Sequence, residues 1–96
     1  MKDSHAQSAF LALDQESRLK IFQLILQAGD NGFTPADLIE QAAIPNAILS
    51  LHIKTLADAS LLHVERKSRQ LIYRSQPETV RQLAYFLQNE FTEKSA

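Results

Sequence analysis

Apolar residues recur along this chain in two rhythms. The spacing is helical from residue 4 to 59, alternates from 61 to 75, and is helical again from 78 to 91. SHAQSAFLAL, residues 4–13, predicts a short helix carrying Phe10, Leu11 and Leu13. Asp14 is placed to cap a second helix over 15–28, because its carboxylate can accept backbone N–H groups two or three residues on. Leu19, Phe22, Ile25 and Leu26 form one face of that helix, widened by Ile21 and Leu24. Gly29 ends it, and Asp30-Asn31-Gly32 continues as a turn.

Phe33-Thr34-Pro35-Ala36-Asp37-Leu38 is a dense helix-start signal for a third helix over 35–42. Thr34 suits the N-cap and Pro35 the first helical position. Asp37 complements the positive helix end, and Phe33 can staple to Leu38. Ile44-Pro45-Asn46 breaks the chain and starts a fourth helix over 46–59. In LLHVERKSRQLIYRS, 61–75, two alternating runs flank Lys67-Ser68-Arg69-Gln70 and read as a β-hairpin. Its turn has neither Gly nor Asn, which predicts strain or a longer loop. Pro77 opens a last helix over 78–91, with Val80, Leu83, Ala84, Leu87 and Phe91 on one face and Phe86 beside it.

This order predicts a mainly α protein, a winged helix-turn-helix of the form α-α-α-α-β-β-α. With no internal repeat, linker or low-complexity stretch, one domain over 1–96 is expected, its core at about 9–91.

The fourth helix separates its duties. Leu49, Ile53 and Leu56 fall on one stripe and belong to the core. Asn46, Ala47, Ser50, Leu51, Lys54 and Thr55 lie largely opposite. In a helix-turn-helix the start of the second helix enters the major groove, where each base pair presents its own donors and acceptors. Asn46 and Ser50 have the chemistry to bond base edges or phosphate, Lys54 to reach phosphate, and Ala47 or Leu51 to touch a thymine methyl. The plain alternative is a solvated helix face.

Net charge is −1, which by itself argues against a nucleic-acid partner, but the distribution changes that picture. Between residues 50 and 74 stand Lys54, Arg66, Lys67, Arg69 and Arg74 against Asp58 and Glu65, a net +3, leaving −4 on the remainder. Arg66, Lys67 and Arg69 gather at the hairpin tip, where cations can straddle a phosphate backbone or reach the minor groove. The absence of cysteine excludes disulfides and thiolate metal sites. His5, His52 and His63 make no ligand set by spacing, so neither metal nor cofactor is expected. MKDSHAQSAF lacks the apolar core of a secretory leader, and no apolar run approaches a membrane span, so the expected location is the cytoplasm. No nucleophile motif or Gly-rich phosphate loop points to an enzyme.

Four stretches together resemble the ArsR/SmtB family of bacterial repressors: LALDQESRLKIFQLIL at 11–26, PADLIEQA at 35–42, LSLHIKTLADASLL at 49–62 and RKSRQLIYRS at 66–75. Leu13, Asp14, Arg18, Ile21, Ser50, His52, Ile53, Leu56, Ala59, Leu61, Arg66, Arg69 and Tyr73 fit the family pattern, which spans about residues 9–91. The resemblance implies a homodimer packed through the first and last helices. It further implies operator DNA with an inverted repeat, bound through Ser50, His52, Lys54 and the wing, and repression relieved by an inducer. The surplus of apolar residues at the two ends, Phe10, Leu83, Phe86, Leu87 and Phe91, points to the same dimer interface, unless those residues simply close the monomer core. The chain departs from the family where metal is sensed. The third helix offers no thiolate, residues 78–91 contain no His, and Asn89-Glu90-Phe91 stands where a related subgroup carries paired cysteines. It departs also at Ala47 and Ile48, where Ser/Thr-type residues are usual, and at Ser60 and Ser68, where the family has glycine. An apolar helix tip leaves open a protein-interaction module on the same scaffold.

Overall fold

The computed structural model describes the backbone of residues 1–95 and the side chains of residues 1–89. Its elements are α1 (Asp3–Leu13), α2 (Glu16–Ala28), α3 (Pro35–Ala42), α4 (Asn46–Asp58), β1 (Leu62–Lys67), β2 (Gln70–Ser75) and α5 (Pro77–Ser95), with one 3-10 turn at Gly29–Asn31. The order is the one the residue pattern predicts.

Each boundary has a local cause. Asp14 does not cap α2. It closes α1 instead, its N–H donating to the Leu11 carbonyl at 3.2 Å. The N-cap falls to Gln15, whose side-chain oxygen accepts the Arg18 N–H at 2.7 Å. A residue committed to ending one helix has no freedom to open the next. α3 starts on a full capping box: Thr34 Oγ1 accepts the Asp37 N–H and Asp37 Oδ2 accepts the Thr34 N–H, both at 3.2 Å. It ends on Ala43 at φ 55°, a left-handed residue that opens the break before Pro45 and α4. α4 ends in a Schellman arrangement, with Leu61 N–H donating to the Leu56 carbonyl at 3.0 Å and Ser60 N–H to Ala57 at 2.9 Å. Leu56 and Leu61, the hydrophobic pair of that motif, are fully buried.

β1 and β2 pair antiparallel from Leu62↔Ser75 to Lys67↔Gln70, joined by a two-residue turn at Ser68-Arg69. The expected longer loop is absent. The strain is present instead: Ser68 sits at φ 58°. A tight hairpin matches the right-handed strand twist only with a positive φ in its turn. Ser60 does the same at φ 62°. The two serines that stand where the resembled family has glycine therefore hold glycine's conformation.

One apolar cluster joins α1–α4 and both strands, built around Ile21, Ile25, Leu38, Leu49, Leu56, Leu61 and Leu62. Each such side chain contributes about 1.5–3 kcal/mol on burial. α1 turns Ala6, Ala9 and Ala12 inward rather than the larger Phe10 and Leu11, because alanines let its backbone approach closely. The buried face of α2 is Ile21, Phe22 and Ile25. Leu19 and Leu26, expected on it, are exposed. Val80 and Leu83 of α5, both half-buried, lie against the core. Further along, Tyr85 (68% exposed) and Leu87 (52%) are open.

Candidate nucleic-acid interface

The α4 stripe falls as its spacing predicts: Leu49, Ile53 and Leu56 are buried, while Asn46, Ala47, Ser50, Leu51, Lys54 and Thr55 are exposed. Pro45 precedes the helix with extended backbone and no side-chain cap, so the first amide groups of α4 face outward without a side-chain partner. The helix is anchored behind by its stripe, and its front is exposed.

Several polar groups on the outer face are already engaged. Ser50 Oγ donates to the Asn46 carbonyl at 3.2 Å and Thr55 Oγ1 to the Leu51 carbonyl at 3.1 Å. Lys54 Nζ pairs with Asp58 Oδ2 at 3.0 Å, both side chains largely exposed. A pair this exposed is worth little and exchanges readily for a phosphate. The Asn46 carboxamide has no protein partner among the described residues.

His52 is not brought onto this face. It is half-buried at the edge of the stripe, and its pKa is lowered, by burial first and then by the charge of Arg18. Neutral imidazole is therefore favoured. Arg18 has a second task that residue patterning did not reveal. Its Nε donates to the Ala12 carbonyl at 2.6 Å and an Nη to Leu11 at 3.5 Å, closing the end of α1. A cation at a helix C-terminus also suits the helix dipole.

The wing stands beside α4. Arg66, Lys67 and Arg69 are exposed and make no ion pair among the described residues. The fourth wing cation is structural: Arg74 forms an ion pair with Glu65 and donates from Nε to the Asp30 carbonyl at 2.9 Å. The hairpin so presents three free cations at its tip and holds one at its root.

Of the residues expected at a dimer face, Phe10 and Leu87 are exposed and Phe86 half-buried, with Leu11 and Tyr85 exposed nearby. The side chain of Phe91 lies outside the described residues. A shallow depression of about 490 Å³ lined by Phe10, Leu11, Leu13 and Leu19 opens between α1 and the start of α2. The residues present do not fit the metal sites of the resembled family. There is no cysteine, and among the described residues no three His, Asp or Glu side chains converge. No helix among them is long and apolar enough to cross a membrane.

The helix-turn-helix domain family matches residues 13–65, more than half of the chain, and the protein belongs to it. Its fold is that of ArsR-family regulators. An ArsR-like transcriptional regulator from Rhodococcus sp. RHA1 superposes with a TM-score of 0.83 at 20% identity, covering 96% of this chain and 84% of that one. HlyU from Vibrio cholerae gives 0.72 at 21% identity, covering 90% and 94%. A homodimeric winged helix-turn-helix DNA-binding domain from Mycobacterium bovis, a possible ArsR-family regulator, gives 0.73 at 17%, covering 98% and 93%. Comparison with curated protein sequences found no match. The family is that of a helix-turn-helix domain, and the fold is one shared with ArsR-family transcriptional regulators.

Proposed function

We propose that the protein is a dimeric, sequence-specific repressor of the ArsR type, one domain over 1–96, acting in the cytoplasm on operator DNA with an inverted repeat. The observation that carries this reading is the pairing of an α4 face free of core duty with a wing tip of three cations that make no ion pair among the described residues. α4 enters the major groove with Asn46, Ala47, Ser50 and Leu51 foremost and Lys54 and Thr55 behind them. Arg66, Lys67 and Arg69 hold the neighbouring backbone. His52 acts from behind, setting α4 against α2. The dimer brings together Phe10 and Leu11 of α1 with Phe86 and Leu87 of α5; that a relative of the same fold from M. bovis is homodimeric supports a paired assembly. Its two α4 helices then sit about 34 Å apart, one turn of B-DNA. The inducer is not a metal held at the family's motif positions, since those positions lack its ligands.

The test is selection of genomic fragments by the purified protein, then footprinting. Protection of two half-sites in inverted repeat supports the reading. Weak binding at physiological salt, indifferent to sequence, overturns it in favour of a protein-interaction module.

A further inference from the structure

We propose that the protein reads its operator chiefly through thymine methyl groups, with Ile48 and Leu51 as the specificity-determining residues. This deepens the reading of the chain as a duplex-DNA binder and rests on it. Leu51 is 66% exposed and Ile48 46%, three residues apart on the outward face of the first two turns of α4. Ala47, exposed and four residues before Leu51, extends the same apolar strip.

The polar groups around the strip are poorly placed to compete with it. The hydroxyl protons of Ser50 and Thr55 are spent on the carbonyls of Asn46 and Leu51, leaving oxygens that can accept but not donate. For such a hydroxyl to bond guanine O6 or N7, which accept only, it must first give up its bond within the helix. Lys54, whose exposed pair with Asp58 exchanges for a phosphate, serves the backbone rather than a base edge, and His52 is half-buried. Among the outward side chains at the tip, Asn46 alone keeps a free donor and acceptor, a pair that suits adenine N6 and N7. An apolar side chain held at the groove floor gains by covering a methyl and loses nothing by lacking a hydrogen bond. The only methyl that unmodified DNA presents in the major groove is that of thymine. The free wing cations beside the strip supply the attraction to phosphate that brings it there.

The experiment uses a duplex selected by the full chain from a randomised pool, resynthesised with deoxyuridine for thymidine in both half-sites. Removing a methyl without altering base pairing should weaken binding about fourfold for each methyl covered, the equivalent of ~0.8 kcal/mol per buried carbon. Leu51→Ala, at an exposed site that leaves the core intact, should bind the thymidine duplex more weakly and respond less to the uridine exchange. Ser50→Ala should keep the full response. Equal affinity of the wild-type chain for both duplexes, or a selected site without thymine in its half-sites, overturns methyl readout while leaving a specific DNA-binding protein. Failure to select any duplex overturns both this inference and the function on which it rests.

Discussion

Phe33 and Tyr73 exchange backbone hydrogen bonds, Phe33 N–H to the Tyr73 carbonyl at 2.9 Å and Tyr73 N–H to the Phe33 carbonyl at 2.7 Å. Phe33 immediately precedes the capping box of α3, and Tyr73 is the buried residue of β2. This bridge fastens the start of α3 to the wing, alongside the Arg74 bond to the Asp30 carbonyl and the core that the helices share with both strands.

The bridge makes Gly32 irreplaceable. At φ +67° an added Cβ would stand 2.7 Å from Ile72 Cγ2 and 2.8 Å from the Tyr73 carbonyl oxygen, and the backbone atom cannot step aside. Gly32→Ala should cost roughly 2–4 kcal/mol by overpacking and left-handed strain together. Gly29, at φ +58° with nothing within 4 Å, bears the strain alone, and Gly29→Ala should cost about 1–2 kcal/mol. Urea denaturation of the two variants measures the difference. Equal losses would mean that the bridge can shift.

At the wing tip the prediction is one of salt dependence. Arg69→Ala should weaken binding to all duplexes about equally and lower the slope of log affinity against log salt by roughly 1. Replacing Arg66, Lys67 and Arg69 together should lower it by roughly 3. A titration series from low to physiological salt reads the slope directly. An unchanged slope would remove the wing from the phosphate backbone.

His52 sets a pH dependence of stability. Its folded pKa lies below the ordinary value of 6.5, so the unfolded chain binds more protons near and just below that pH. The contribution is fully present above 6.5 and is lost as pH falls through the folded pKa. Thermal unfolding should show Tm falling on acidification from pH 7.5 toward 5, and His52→Gln should flatten that decline. An identical profile in the variant would assign the decline to other groups.

The apolar surface outside the core predicts an assembly state. Leu11→Glu with Leu87→Glu places two charges on exposed positions that the monomer does not use. The apparent mass by sedimentation should fall by about half, with helical circular dichroism retained. An unaltered mass would place the interface elsewhere.

The legible parts of this chain were those whose cause is local. The Leu49, Ile53, Leu56 stripe, the start of α3 at Thr34 and the two strands all follow from spacing and capping chemistry. The face of α1 was not legible. Its buried residues are alanines, which carry little hydrophobic signal, and the large Phe10 and Leu11 beside them mislead. The rotated face of α2 has the same origin: an apolar band wider than the core requires leaves packing to choose its buried half. The roles of Arg18 and Arg74 were hidden because each bonds backbone carbonyls on another element, which no periodicity encodes. At the interface, exposure was readable, but the state of each polar group was not. Ser50, Lys54 and Thr55 read as free donors until their helical neighbours are seen to hold them.

Arg18, on α2, reaches two other helices. One end of its guanidinium holds the last carbonyls of α1, and its charge is felt by the imidazole of His52 on α4. A depression lined by Leu11, Ala12, Arg18, Thr55 and Asp58 runs between those two helices. One side chain of α2 thereby ties the closing turn of α1 to the protonation of a residue on α4.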